Sequence, residues 1–399
     1  MSALLTILLV AVLGASLAHA GAKLTINENA MIDLGARVQT YYLNMGDIVG
    51  DDDDVERWDM FRVRRARLRL TMVVNEHMTA FIQTDVSGAS AGSIGQNMQA
   101  IDAWVNAKYN SWLQLYMGLN MAPALRQNLT SSGAMMAVDR PGMNYKVISW
   151  GIRSMYGFNT ATLSGTSGGA QVPGSVRDLG ATLFGSGPIG ENVHLKYYAG
   201  MYNGLGRTSR LAPPETWEGD DTERYTGRVQ VNFGDPEAGY YNSSTYVGRK
   251  NTIGIGASID MQSDVAGTFE EPGDYMLFSV DGFIEKELGE GAITAEVGYL
   301  QLDLDDGAPD VEGTGIYGQV GYLFQEKWQP WFLYETWSSD ADNDDGSYNL
   351  WRLGLTYFLA GHNANIKVGY EQVSTDYALP WGVDEDSISS FIVGFFTTY

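Results

Sequence analysis

The chain has no cysteine and, among 399 residues, only four histidines, eight lysines and eleven prolines. Without a thiol there can be no disulfide, thiolate metal site or cysteine nucleophile, whatever the compartment. Beyond residue 20 the histidines are His77, His194 and His362. The first and last fall in expected turns and the other at a strand end, so all three read as solvated rather than catalytic. A Gly-rich phosphate loop, a Rossmann fingerprint and a His/Cys constellation are missing too. The expectation is a protein that is not an enzyme and carries no cofactor or metal. Apolar runs long enough for a spanning helix, ~20 residues, are also lacking after residue 20. A membrane location would therefore require strands. Positive charge is scarce as well: 25 Lys and Arg against 48 Asp and Glu leave a net charge of -23, which argues against nucleic acid as a partner.

At the start, MSALLTILLVAVLGASLAHA has an apolar run from Ala3 to Leu13 and ends in Ala18, His19 and Ala20, an A-x-A cleavage pattern, although no Lys or Arg precedes the run. Residues 1–20 are expected to be a secretory signal peptide, and 21–399 a single unit. What the chain has in plenty is glycine, 48 residues, and aromatics, with 23 tyrosines and 10 tryptophans. From Met31 onward it divides into about sixteen segments of alternating character, bounded by Gly, Asn, Asp or Pro, which is a strand signature. Ile253, Ile255, Ala257 and Ile259, for example, alternate with Thr252, Gly254, Gly256 and Ser258. Alternation alone fits both a soluble sandwich and a membrane barrel. The connections separate them. Short turns such as NEH, GEG and AGHN alternate along the chain with long acidic loops such as DIVGDDDDVERWD and SDADNDDGS. That arrangement is expected of an all-β transmembrane antiparallel barrel of the bacterial outer membrane, set in lipid and lipopolysaccharide.

The scarce positive charge is concentrated. FRVRRARLRLTMV, from Phe61 to Val73, holds five arginines. As a strand it puts Ala66, Leu68, Leu70 and Met72 on one side and Arg65, Arg67, Arg69 and Thr71 on the other. As a helix it has no apolar face of useful width. An arginine at the lipid midplane costs ~2–4 kcal/mol, so three turned outward would cost roughly 6–12 kcal/mol. They are expected to face water inside the barrel, spaced ~7 Å apart at twice the strand rise. Alternation adds Arg37, Lys108, Lys196, Arg224 and Arg228 to the inward set, with Arg352 and Lys367. It also turns Asp33, Asp85, Asp102, Asp281, Glu285, Glu296, Glu335 and Glu371 inward. The wall reads as basic in its first half and more acidic in its second.

The stretch FRVRRARLRLTMVVNEHMTAFIQTD resembles the phosphate-selective porin O and P family. So, in order, do IDAWVNAKYNSWLQLYMGLNMAPALRQNLTSS, Asp139-Arg140-Pro141, RDLGATLFG and YYAGMYNGLG. The resemblance implies a homotrimer of sixteen-stranded barrels, each with its long third loop folded into its own lumen. In this chain that loop corresponds to 120–176, and the resemblance would bring Arg126, Arg140 and Lys146 opposite Arg65, Arg67 and Arg69. The expected function is passive diffusion of small hydrophilic solutes with a preference for small, phosphate-like anions. Because lysines are few, a general or weakly anion-preferring porin fits better than a dedicated phosphate channel. The alternative is a structural or adhesive barrel that uses its acidic loops to bind cations or partners.

Overall fold

The computed structural model describes residues 22–49, 55–86, 98–141, 177–204, 222–267, 272–305, 312–340, 347–375 and 387–399. The expected signal peptide, the acidic run 51–54 and Lys146 lie outside them. Among the described residues a short β1 (Ala22–Thr25) precedes β2 (Met31–Val49), β3 (Val55–Asn75), β4 (Met78–Asp85), β5 (Gln99–Lys108), β6 (Gln114–Met121), β7 (Arg177–Gly190), β8 (Val193–Tyr202) and β9 (Arg224–Gly234). Then come β10 (Thr252–Gly267), β11 (Pro272–Leu288), β12 (Gly291–Leu304), β13 (Gly313–Phe324), β14 (Trp328–Ser339), β15 (Tyr348–Phe358), β16 (Ala364–Thr375) and β17 (Ser387–Thr398). A one-turn helix, α1 (Arg126–Leu129), lies between β6 and β7.

Each strand from β2 to β17 pairs antiparallel with the next, and β17 returns to β2 through the register Ser390↔Met45 to Thr398↔Arg37. Sixteen strands thus close on themselves and leave no unpaired edge, which is what a strand-built membrane protein needs. β1 is the addition: it pairs with β2 from Ala22↔Leu34 to Thr25↔Met31, continuing the line of β17.

The two faces of this wall are chemically opposed. Val297, Ile255 and Leu68 point outward and are 59 %, 57 % and 57 % exposed, whereas Glu296, Asp260 and Arg67 point inward and are buried. An outside made of exposed Ile, Leu, Val and Phe with charge held within is the inverse of a soluble protein and suits a hydrocarbon surround. At one rim the connections are two to five residues long, with a single exception: residues 235–251 join β9 to β10 there with 17 residues.

The lumen is not uniformly wet. At the long-loop end of β11–β15 the inward residues are Leu277, Leu300, Leu302, Leu333, Trp337 and Leu350, each 0–1 % exposed, in one cluster with Leu125, Met135, Met136 and Val138 of the third loop. The expectation of a polar inner face is corrected there. At that end the inner face of these strands is largely apolar because it packs on the loop rather than on water.

Candidate functional site

The arginine strand carries a β-bulge that alternation could not show. Gln39 pairs with Arg65 but Thr40 pairs with Val63, so Arg64 is the extra residue. Since side chains alternate with period 2, one extra residue reverses the facing of everything beyond it. Phe61 is accordingly turned out, 79 % exposed, while Arg62 lies opposite the buried Tyr41. All five arginines, Arg62, Arg64, Arg65, Arg67 and Arg69, are therefore presented to the lumen. Arg62 and Arg64 were missed from sequence, but consecutive arginines at 64 and 65 were a legible sign: a regular strand would push one of them into lipid.

The third loop runs along this wall, and wall side chains hold its backbone. Gln39 donates to the Ser132 carbonyl at 2.8 Å, Tyr41 to that of Val138 at 2.7 Å and Thr356 to that of Met136 at 2.7 Å. Lys367 donates to the Ala137 carbonyl at 2.9 Å and Arg352 to that of Arg140 at 2.9 Å. The Ser132 hydroxyl lies between two guanidiniums, accepting from Arg37 at 2.8 Å and Arg67 at 2.9 Å. A Cβ at Gly133 would sit 2.3 Å from Arg37 Nη2, so any larger residue there would displace this guanidinium.

Most of the expected pore arginines have carboxylate partners. Arg67 Nε meets Asp85 at 2.7 Å; Arg65 Nη2 and Arg64 Nε meet Asp139 of the loop at 3.1 and 2.7 Å. Burial alone would raise the Asp139 carboxyl, but Arg64 and Arg65 overcome that and hold it well below the usual range, so it stays ionised. Arg224 forks onto Asp260 at 2.7 and 2.5 Å, and Arg228 onto Asp281 at 2.5 and 2.9 Å. Arg140 lies within the loop and donates to the carbonyls of Gln127 at 3.2 Å and Thr130 at 2.5 Å. Arg69 donates to the Tyr399 backbone oxygen at 2.9 Å, and Lys108 is exposed at the short-turn rim.

Even after pairing, the walls differ in sign. Among the described side chains of β2–β4, six inward arginines, Arg37, Arg62, Arg64, Arg65, Arg67 and Arg69, stand against Asp33 and Asp85. On β10–β16 six buried carboxylates, Asp260, Asp281, Glu285, Glu296, Glu335 and Glu371, stand against Arg352 and Lys367. The transverse asymmetry read from the sequence is present in the fold.

A second lumenal segment was not foreseen. Residues 235–251 turn inward from the short-turn rim and meet the third loop: Asn242 N–H donates to the Leu129 carbonyl at 2.9 Å, and Ser131 N–H to that of Asn242 at 3.0 Å. Arg126 clamps the two segments, donating to Glu237 at 3.0 and 2.7 Å. Although burial opposes it, Arg126 dominates and brings the Glu237 carboxyl down to about 2. Lys196 Nζ donates to the Glu237 carbonyl at 2.8 Å and to Asn242 at 2.7 Å. Tyr240 stacks on Tyr116 at 4.5 Å, extending a row that continues through Trp104 to Phe81. The signal was present: a 17-residue connection at a rim where all others are two to five residues long.

His362 corrects the solvated reading for one of the two turn histidines; the other, His77, is exposed. His362 is partly buried, with Nε2 2.8 Å from the Thr245 carbonyl, to which the neutral ring donates. Burial pushes it down from 6.5 to about 4. The folded state therefore resists a proton that the unfolded chain accepts, so stability is complete above pH ~6.5 and falls toward pH ~4, by about 3 kcal/mol in all. Glu237 contributes at lower pH, as pH falls from about 4.5 toward 2. The thermal midpoint of the folded barrel should drop between pH 7 and 4.5, and His362→Gln should reduce that drop. Equal drops in both proteins would refute the assignment.

The profile of phosphate-selective porin O and P matches residues 32–380. An uncharacterized protein of Aquifex aeolicus (strain VF5) is 21 % identical over 362 residues, 84 % of this chain and 80 % of its own. Among solved structures, the anion-selective porin from Comamonas acidovorans has a TM-score of 0.58 at 10 % identity, covering 93 % of this chain and all of that one. The trimer form of OmpT from Vibrio cholerae has a TM-score of 0.51 at 12 % identity over the same shares.

Proposed function

Because the chain belongs to the phosphate-selective porin O and P family, an outer-membrane porin, we propose that small anions cross its lumen along the β2–β4 wall. The carrying observation is the guanidinium excess there, six arginines against two aspartates among the described side chains, facing a wall of opposite balance. Fixed positive charge in a low-dielectric bore raises the local anion concentration. Arg37 and Arg67 present their guanidiniums to one hydroxyl, that of Ser132. A passing anion that displaces this hydroxyl gains two charge-assisted donors. The apolar far side, packed on the third loop, directs solutes toward the basic side, and the loop acts as the constriction. The pairing of Arg65, Arg224 and Arg228 with carboxylates makes the preference moderate rather than exclusive. We further propose that the protein works as a homotrimer in lipid and lipopolysaccharide.

Planar-bilayer recording tests this reading. Steady openings that close in three steps are expected, with a reversal potential in a KCl gradient of the sign for chloride over potassium. Changing Arg37, Arg65 and Arg67 together to alanine should move that potential to zero or beyond. An unchanged potential would reject the anion path. Absence of conductance in a correctly folded barrel would favour the structural or adhesive alternative.

A further inference from the structure

The Asp139 carboxylate occupies a seat that matches the expected solute. Its Oδ2 receives Arg64 Nε at 2.7 Å and lies 3.4 Å from the Tyr41 hydroxyl; its Oδ1 receives Arg65 Nη2 at 3.1 Å and the Arg140 N–H at 2.9 Å. Two guanidiniums, a phenol and a backbone amide converge on one buried carboxylate, 2 % exposed. The bulge makes this possible, since Arg64 and Arg65 are consecutive yet reach the same group. The Asp139 carboxylate is one of several anchors of the loop. Elsewhere from Ser132 to Arg140 the wall grips the loop through backbone carbonyls, from Gln39, Tyr41, Thr356, Lys367 and Arg352, and through the Ser132 hydroxyl, from Arg37 and Arg67.

We propose that Asp139 is an internal competitor: a tethered carboxylate that fills an oxyanion seat and thereby sets how tightly the lumen retains small carboxylate solutes. The inference rests on the anion-path reading above and adds to it the residue that limits affinity. A tethered group is present at high effective concentration, so a free carboxylate displaces it only when abundant. With the seat filled from within, anions pass without being trapped, as conduction requires binding weak enough to leave.

Two measurements on the full-length, membrane-assembled protein test this with acetate as probe. Asp139→Asn, near the same shape but uncharged, should let acetate block chloride current at a half-blocking concentration at least tenfold lower than in wild type. Asp139→Ala, which empties the seat, should gain thermal midpoint as acetate rises, while wild type does not. If that variant assembles only when acetate is present, the seat is equally supported. Unchanged block together with an acetate-independent midpoint overturns the proposal, even where the triple arginine variant still shifts the reversal potential. Acetate rescue in a barrel that shows no conductance keeps the seat and discards the anion path instead.

Discussion

Replacing Arg126 by methionine is expected to destabilise the assembled barrel by about 3–5 kcal/mol, as removal of one member of a buried ion pair does. Its side chain is wholly buried, forks onto Glu237, lies 3.6 Å from Glu296 and covers the Phe283 ring at 4.3 Å. Methionine keeps most of the volume, so the loss is electrostatic rather than a cavity. Glu237 would retain Gln230 at 2.7 Å, Asn232 at 3.1 Å and Tyr246 at 2.7 Å but lose its countercharge, since Lys196 bonds only its backbone oxygen. The change should appear in the thermal midpoint and as new protease cleavage within 235–251, which depends on this clamp. Adding Glu237→Gln to the same chain should recover about 0.5–3 kcal/mol, the range of coupling between contacting residues. If the single change is silent, the two lumenal segments are not held by this pair.

The second large effect concerns a residue between two arginines. Leu68 points outward between Arg67 and Arg69, and Leu68→Arg places an identical side chain one position along on the opposite face. At the lipid midplane that costs about 2–4 kcal/mol, whereas the neighbours are accommodated inside. Urea titration of folding into lipid vesicles should show the loss, and Leu68→Ile should not. A Leu68→Arg barrel as stable as the parent would mean that this face does not meet hydrocarbon.

Strand period, turn placement and the inward sense of Arg37, Arg65, Arg67, Lys196, Arg224 and Arg228 were all legible in the sequence. Each follows from a local rule: a strand that separates lipid from a lumen must alternate, and charge cannot face the lipid. What those rules could not supply is pairing. Arg65 read as an open anion site, yet Asp139 lies 74 positions away, and only the path of the loop brings them to 3.1 Å. The same applies to Arg126 and Glu237, 111 positions apart. The apolar lumenal stretch Leu277, Leu302, Leu350 was visible as residues, but its partner on the third loop was not.

The amino-acid order by itself determined a lipid-crossing barrel with positive charge along its first inner wall, because hydrophobic and charged groups sort by face every second residue. Only the tertiary structure decided which of those charges remain available, through one bulge and two segments that meet inside the bore. Ion pairing depends on positions far apart along the chain, and no periodicity encodes a distance across a lumen.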